Sequence, residues 1–140
     1  MACVFCEIVA GTAPAVRIYE DDDYLAFLDI RPFTRGHTLV IPKLHSVDLT
    51  DTPPETLAGM AAVGQRVARA TRASGLAATG NNVAINDGKS AFQSVFHIHL
   101  HVVPRRDRDK VSFAKGLLLR RDPDREGTGA ILREAMAVLP

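Results

Sequence analysis

Residues 97–103 read His-Ile-His-Leu-His-Val-Val, and this stretch decides how the rest of the 140-residue sequence is interpreted. Alternation with a period of two predicts a β-strand that carries His97, His99 and His101 on one face and aliphatic side chains on the other. These are three of only five histidines in the chain. Chance enrichment on a solvated strand face is the alternative, but histidine is seldom used to make a strand soluble. We interpret the imidazole face as a chemical site.

A single zinc ion bound by the strand itself is disfavoured by distance. At a rise of about 3.3 Å per residue, His97 and His101 lie about 13 Å apart, whereas each ligand of a zinc ion lies within about 2.1 Å of it. The three imidazoles therefore serve separate functions, with His99 between two different surroundings. An imidazole near its reference pKa of about 6.5 is largely neutral at pH 7, so His99 is suited to attack or to accept a proton.

The composition restricts the class of protein. The chain contains 46% hydrophobic and 24% charged residues, which is typical of soluble globular domains. Lys and Arg number 17 against 16 for Asp and Glu, so no global field attracts nucleic acid. No apolar run reaches the 18 or so residues that cross a bilayer, and the N-terminus lacks the pattern of a signal peptide. We expect a single domain over residues 1–140, in the cytoplasm, with neither nucleic acid nor membrane as a partner.

Hydrophobic periodicity predicts an α+β fold. Strand formers are concentrated in residues 16–20, 24–30, 37–42, 82–86 and 97–103. Apolar residues at spacings of three and four predict one long helix from Pro53 to Ser74, and shorter helices are expected over residues 4–10 and 129–139. Residues 105–110 alternate in charge and are predicted to be solvated. The expected architecture is a five-stranded antiparallel sheet with one long helix and a short C-terminal helix.

Two polar features accompany the histidine stretch. The loop that contains Asn86, Gln93 and Ser94 leads directly into it and can offer N–H groups and a hydroxyl to a phosphoryl or acyl oxyanion. An ordinary hairpin turn explains the same loop. Asp29 ends the second strand between apolar neighbours, where a carboxylate can bind a ribose diol, although such residues also serve as strand-end caps.

Together these residues resemble the histidine triad (HIT) superfamily, and most closely its Hint branch of nucleotide-binding phosphoramidases. The resemblance covers residues 4–104, and residues 105–140 lie beyond it. It rests on Phe27-Leu28-Asp29-Ile30, His37-Thr38-Leu39-Val40-Ile41-Pro42-Lys43, Asn86-Asp87-Gly88, Gln93-Ser94-Val95 and the motif over residues 97–103. The resemblance implies a HIT-like fold, a homodimer with a joined ten-stranded sheet and a purine nucleotide of the AMP or GMP type as substrate.

The resemblance also implies a two-step chemistry. His99 would attack the α-phosphorus of a nucleoside phosphate derivative, and water would then release the monophosphate from a nucleotidyl-histidine intermediate. The backbone carbonyl of His97 would hold the other ring nitrogen of the nucleophile. His101 would donate to phosphate oxygens, and His37 would support the histidine cluster. Ser94 would bind phosphate or assist the leaving group.

A nucleotide-binding set follows from the same resemblance. It comprises Phe5, Ile8, Phe27, Asp29, Ile30, Asn86, Gln93, Ser94, His99 and His101. Asp29 would bind the ribose hydroxyls, the apolar members would enclose the purine, and the region of Gln93 would bind phosphate. Phe92 stands where many relatives have glycine and is expected to narrow the leaving-group side.

Cys3 and Cys6 are the only cysteines. In a reducing compartment, their spacing indicates metal binding or redox chemistry more than a structural disulfide. With His45 and His97 they provide a Cys2His2 set, which suits tetrahedral zinc. Bacterial HIT proteins that this sequence resembles use the same combination, which implies a structural zinc held by Cys3, Cys6, His45 and His97 and no catalytic cofactor. A metal-free thiol pair with a surface His45 is the alternative.

The sequence thus predicts an enzyme, a hydrolase or transferase that cleaves nucleoside 5′-phosphoramidates or related mixed phosphate derivatives. Three alternatives stay open. Val103-Pro104-Arg105 also resembles the dinucleoside polyphosphate hydrolases. A non-catalytic, nucleotide-sensing interaction protein would use the same cavity, and a zinc metalloenzyme would use the triad as ligands.

Overall fold

Short strands and helices follow one another along the chain, and the computed structural model describes residues 2–140. The helices are α1 Val4–Ala10, α2 Pro54–Ala73, α3 Lys110–Leu119 and α4 Arg125–Val138, and a 3₁₀ turn spans Lys89–Ala91. The strands are β1 Arg17–Glu20, β2 Tyr24–Leu28, β3 Thr38–Pro42, β4 Gly80–Ile85 and β5 Leu100–Arg105. Within residues 2–140, no helix combines the length and the hydropathy that a membrane span requires.

The five strands form one sheet in the order β1-β2-β3-β5-β4, and all neighbours pair antiparallel. His101 of β5 lies opposite Leu39 of β3, and Leu39 in turn lies opposite Phe27 of β2. Residues directly opposite each other share a face of the sheet. His101 therefore projects from the same face as Phe27 and Leu39.

The two faces of the sheet are covered differently. Helices α2 and α4 cover one face and contribute fully buried side chains such as Met60, Val67 and Leu132 to its core. On the other face, the short helix α1 packs Phe5 and Ile8 against the inward residues of β2 and β3. A seven-residue helix covers much less of a sheet than two long ones, so this second face keeps room for a cavity.

The predicted five-stranded antiparallel sheet and long helix are confirmed. Helix α2 begins at Pro54, whose fixed φ and missing N–H suit the first helical turn. Helix α4 begins at Arg125 rather than at residue 129, because the Asp124 side chain caps it by accepting the N–H of Gly127. Helix α3 is not anticipated by the sequence pattern, since it buries no side chain and has no amphipathic period.

The histidine stretch departs from the predicted strand at its beginning. Strand β5 starts at Leu100, so His97 and His99 precede it. The β3 residue that would pair with Ile98 is Pro42, which ends β3 and has no N–H to donate to a ladder. The N–H of Ile98 instead donates to a carbonyl in the loop after β3, at 2.8 Å. Strand β5 therefore begins three residues after the predicted start at His97.

Candidate functional site

Four metal-ligating side chains converge beside the first histidine of the motif. The donor atoms of Cys3, Cys6, His45 and His97 all lie within 4.8 Å of one another. Nδ1 of His97 lies 3.5 Å from each sulfur and 3.2 Å from Nδ1 of His45. Sγ of Cys6 lies 3.4 Å from Nδ1 of His45. The predicted ligand set is thus brought together from residues up to 94 positions apart.

The spacing of these atoms fits a tetrahedral zinc ion. Zn–S bonds of about 2.3 Å and Zn–N bonds of about 2.0–2.1 Å place sulfur and nitrogen about 3.6 Å apart and two nitrogens about 3.3 Å apart. The observed S···N and N···N distances are 3.4–3.5 Å and 3.2 Å. Nε2–H of His97 donates to the carbonyl of Pro42 at 2.8 Å, which leaves Nδ1 free to coordinate.

Both thiols belong to the N-terminal end of α1. Cys3 is the N-cap, and its sulfur accepts the N–H of Cys6 at 3.3 Å. Partial burial and the neighbouring Cys3 thiol raise the pKa of Cys6. A bound cation would act in the opposite direction and favour both thiolates. Because α1 also packs Phe5 and Ile8 on the sheet, a metal at this point would hold the helix in place.

His97 connects the ligand cluster to the middle histidine through its backbone. Its carbonyl accepts Nδ1–H of His99 at 2.8 Å. Neutral His99 therefore carries its proton on Nδ1 and its lone pair on Nε2. Burial lowers the pKa of His99, which favours this neutral form. The ring of Phe5 meets His99 edge-on with centroids 5.2 Å apart, so packing also restricts the orientation of the imidazole.

A chain of hydrogen bonds that begins at the backbone determines the tautomer of His101, the third histidine of the motif. The N–H of Phe33 donates to Nδ1 of His37 at 3.0 Å, so neutral His37 carries its proton on Nε2. That proton is donated to Nδ1 of His101 at 2.9 Å, which leaves neutral His101 protonated on Nε2. Burial is the main cause that lowers the pKa of His37 to about 3 and that of His101 to about 4. Nε2 of His101 is buried without a partner among residues 2–140, which leaves a donor ready for a ligand.

Asp29, His37 and His101 also approach closely enough to suggest a second metal site. Nδ1 of His37, however, already accepts a backbone N–H, and its Nε2 donates to Nδ1 of His101. Neither nitrogen of His37 has a lone pair left for a metal ion. His37 and His101 therefore form part of a hydrogen-bond chain. Asp29 lies beside this chain, with its Oδ2 3.6 Å from Nε2 of His37.

His99 and His101 line a cavity of about 640 Å³, a volume in the range of small-molecule sites. The apolar wall comes from α1, the segment that follows it and strands β2 and β3, and comprises Val4, Phe5, Ile8, Ala13, Pro14, Ala15, Phe27, Leu28 and Leu39. Asp29 and Ile30 continue this wall toward the mouth, where Ile30 is exposed over 70% of its surface. Oδ1 of Asp29 accepts the N–H of Arg31 at 2.8 Å, and its Oδ2 remains available for a ligand.

The loop between β4 and β5 forms the other wall. Asn86, Ser94 and Val95 line the cavity from this loop. The side chain of Gln93 does not: it is buried, its Oε1 accepts the N–H of Gly88 at 2.8 Å, and its Nε2 donates to two carbonyls of the protein. Gln93, predicted to bind phosphate, therefore acts as a support that positions Ser94. The other nine residues of the predicted nucleotide-binding set line this one cavity.

Phe92 stands at the edge of the same wall. It lines the cavity and is exposed over 86% of its surface. Its backbone lies in the left-handed region, with φ 71° and ψ 21°. This conformation costs a non-glycine residue about 1–2 kcal/mol. An exposed ring recovers none of that cost by packing in the core.

The sequence model of the HIT domain matches residues 10–108, a span that contains all five histidines. The chain belongs to the HIT domain family. An uncharacterised HIT-like protein of Mycobacterium tuberculosis is 71% identical over 137 residues, which make up 98% of this HIT chain and 94% of the relative. The adenosine 5′-monophosphoramidase of Saccharomyces cerevisiae is 35% identical over 141 residues, or 99% of this chain and 83% of that enzyme.

A solved HIT structure confirms the fold. The crystal structure of a zinc-bound histidine triad family protein from Mycobacterium smegmatis superposes on this chain with a TM-score of 0.91 at 74% sequence identity. The match covers 98% of this chain and 94% of that one. The predicted HIT-like fold is therefore confirmed, and it extends through the C-terminal residues beyond the HIT motifs.

Sequence reasoning missed two cationic members of this HIT cavity, Arg31 and Arg120. Arg120, at the C-terminal end of α3, lines the cavity and donates from Nε and Nη2 to the carbonyl of Arg31 at 3.1 and 2.8 Å. Its guanidinium carbon lies 4.1 Å from the centre of the Phe33 ring, and Phe33 stacks on His37 with centroids 5.1 Å apart. Arg120 lies 89 residues from Arg31. No local pattern links two such positions, so no sequence signal could have identified this arginine.

Proposed function

We propose that this HIT protein is a nucleotidyl hydrolase that cleaves nucleoside 5′-phosphoramidates and related mixed phosphate derivatives. The observation that carries the proposal is the pair of imidazole nitrogens beside the cavity. Nε2 of His99 bears a lone pair because Nδ1–H of the same ring donates a hydrogen bond to the carbonyl of His97. Nε2 of His101 bears a proton that has no hydrogen-bond partner among residues 2–140. The first suits attack on phosphorus, and the second suits donation to a phosphate oxygen.

The walls of the cavity favour a purine nucleotide as substrate. The apolar wall around Phe5 and Phe27 would enclose the base, and Oδ2 of Asp29 would accept hydrogen bonds from the ribose hydroxyls. Arg31 and Arg120 also line the cavity and favour an anionic ligand. The similarity to the adenosine 5′-monophosphoramidase of Saccharomyces cerevisiae supports adenosine and a P–N bond in the substrate.

The proposed reaction divides one displacement into two. Nε2 of His99 attacks the α-phosphorus, the P–N bond breaks, and the nitrogen takes a proton from solvent and leaves as an amine. Water then attacks the same phosphorus and returns one proton to solvent, the bond from phosphorus to Nε2 breaks, and the nucleoside monophosphate is released. Nδ1–H of His99 stays bonded to the carbonyl of His97 throughout, so the developing positive charge on the ring is stabilised. His101 donates to phosphate oxygens, and Ser94 binds phosphate or assists the leaving group.

We also propose that Cys3, Cys6, His45 and His97 hold a structural zinc ion. Cys2His2 is a closed tetrahedral set with no position for substrate, and a metal of this kind stabilises a fold rather than a transition state. The fit of the donor distances and the similarity to a zinc-bound relative support this assignment. The bound ion would fix α1 and the side chain of His97, whose carbonyl orients His99.

The assembly that we propose is a homodimer of one-domain chains in the cytoplasm. Strand β4 is an edge of the sheet, where it pairs with β5 on one side. Val83 of β4 is 53% exposed, and an open edge strand is suited to pair with its counterpart in a second copy. The C-terminal helix belongs to the same domain, because Leu132 and Met136 are buried in the main core.

Turnover and trapping of the intermediate test the proposed function. The zinc-loaded protein is incubated with adenosine 5′-phosphoramidate, release of AMP is followed, and the acid-quenched protein is examined by mass spectrometry for one added adenylate. We expect both signals in the parent protein and neither in His99→Ala. AMP release that persists in His99→Ala would contradict a histidine nucleophile. Binding of AMP without any turnover would instead indicate a nucleotide-sensing protein.

A further inference from the structure

Phe92 combines three properties that packing does not explain. It is 86% exposed, it lines the candidate cavity, and its backbone adopts the left-handed conformation. Glycine would adopt this conformation without strain, and a polar side chain would suit the exposure. Backbone strain of this kind is concentrated at active sites and ligand-binding loops. An exposed aromatic ring at the edge of a cavity is therefore a candidate for contact with a ligand.

The loop beneath the ring is rigid. Gly88 and Gln93 form a reciprocal pair, in which the N–H of Gly88 donates to Oε1 of Gln93 at 2.8 Å and the N–H of Gln93 donates to the carbonyl of Gly88 at 3.0 Å. Between them, the N–H of Phe92 donates to the carbonyl of Lys89 at 3.1 Å and closes the 3₁₀ turn. On such a support, the backbone beneath the ring needs little rearrangement when the ring meets a ligand.

The position of Phe92 indicates which part of a substrate it meets. In the proposed function, the wall around Phe5 encloses the base, Asp29 binds the ribose hydroxyls, and His99 attacks the phosphorus. Phe92 belongs to the remaining wall, two residues before Ser94. In an in-line displacement the leaving group departs on the side of phosphorus opposite the nucleophile. In the proposed function, the leaving group is therefore assigned to the loop that carries Phe92, the wall of the cavity that the base does not occupy.

Resting on the proposed function, we infer that Phe92 is a specificity-determining residue that stacks on a planar aromatic group carried by the leaving group. Nucleobases and aryl rings gain binding free energy from such stacking, whereas ammonia and small alkyl amines do not. Two classes of substrate provide this chemistry. One is a dinucleoside polyphosphate, through its second base, and the other is a nucleoside phosphoramidate of an amine that carries an aryl ring.

Matched substrates test the inference. kcat/KM is measured for the zinc-loaded full chain with adenosine 5′-phosphoramidates of benzylamine and of methylamine, and with diadenosine polyphosphates. The benzylamine-to-methylamine ratio of kcat/KM is expected to fall about tenfold in Phe92→Gly, the loss of one stacking contact of about 1.4 kcal/mol. Phe92→Tyr keeps the ring and should keep the ratio. Leu118→Ala removes a side chain that is equally exposed, at 86%, but lies on α3 outside the cavity lining, and serves as the control.

The outcomes separate the two claims. If the parent cleaves these substrates and Phe92→Gly changes neither the benzylamine-to-methylamine ratio nor kcat/KM for diadenosine polyphosphates relative to the methylamine substrate, the inference is overturned and the proposed function stands. If the parent cleaves none of them, the proposed function itself fails. A loss confined to diadenosine polyphosphates assigns the stacked group to a second base, and a loss confined to the benzylamine substrate assigns it to the aryl ring of an amine leaving group. If Phe92→Gly changes the oligomeric state in gel filtration, the ring packs against a second copy and the inference is overturned.

Discussion

His97 and His101 occupy opposite ends of one motif, and their surroundings differ in how completely each ring is engaged. Both nitrogens of His97 have protein neighbours: Nε2 donates to Pro42, and Nδ1 faces the sulfurs of Cys3 and Cys6. His101 has one engaged nitrogen and one buried nitrogen without a partner among residues 2–140. A closed donor set suits a structural ion, whereas a single open donor suits a transient ligand.

Residue type alone does not assign function within the triad. The imidazoles are chemically identical and are separated by only a few residues, so their different roles come from their partners. His99 lies between the two regions and depends on both. The carbonyl of His97 sets the tautomer of His99. Burial lowers the pKa of His99, and the hydrogen bond to that carbonyl and the charge of Asp29 oppose this shift only in part.

The largest expected effect comes from removing the nucleophile. His99→Ala should lower kcat/KM for adenosine 5′-phosphoramidate by a factor of about 10³ or more, because the two-step path is lost. AMP affinity, measured by calorimetry, should change by less than about fivefold, since the walls of the cavity remain. His99→Gln is the more conservative variant. If either variant keeps near-parental turnover, His99 is not the nucleophile, and the contrast between a structural role for His97 and a catalytic role for the rest of the triad is lost.

Loss of a ligand from the proposed zinc site should affect stability more than catalysis. Cys6→Ala removes one of four ligands and is expected to lower the free energy of unfolding by about 3 kcal/mol, which for a domain of this size lowers Tm by about 10 °C. Calorimetric melts and zinc content by mass spectrometry check this result. His45→Ala should cost less, because His45 is exposed. A parent protein that purifies without zinc and melts identically with and without added zinc would contradict the assignment.

Acid should destabilise the folded protein through the buried His37–His101 pair. The pKa of each is lowered in the folded chain, to about 3 and about 4, from an unfolded value near 6.5. Below about pH 6.5 the unfolded chain binds protons that the folded chain excludes, so stability is full above that pH and falls as the pH decreases toward 4. The slope can reach about 1.4 kcal/mol per pH unit for each histidine.

The variant His37→Gln isolates this effect. Urea unfolding from about pH 7 to about pH 5 should show a shallower loss of stability in the variant than in the parent, because one of the two titrating groups is gone. Zinc content measured at each pH controls for loss of the metal in acid. An equal pH slope in variant and parent would show that the acid sensitivity arises elsewhere.

The smallest expected effect concerns the ribose. Asp29→Asn should weaken AMP binding about tenfold, the contribution of one hydrogen bond to a charged group. The loss should vanish for an AMP analogue that lacks both ribose hydroxyls, measured by the same calorimetric titration. If the analogue suffers the same loss as AMP, Asp29 acts through His37 and not through the sugar.

Much of the fold was predictable because it follows from local spacing. The concentration of strand formers in β2 and β3 and the spacing of three and four in α2 are properties of neighbouring residues, and both predictions are confirmed. The start of β5 was not predictable in this way. It depends on Pro42, which belongs to a different strand and meets the histidine stretch only after the sheet has formed.

The candidate site divides along the same line. The motif over residues 97–103 by itself pointed to a nucleophile with separate neighbours, and the cysteine spacing pointed to a metal. Only the tertiary structure brought Cys3 to within 3.5 Å of His97 and placed Arg120 on the backbone of Arg31. It also fixed the tautomers of the histidines and the strained backbone of Phe92. Periodicity is a property of adjacent residues, whereas distances between remote residues and the proton positions that depend on them arise from packing.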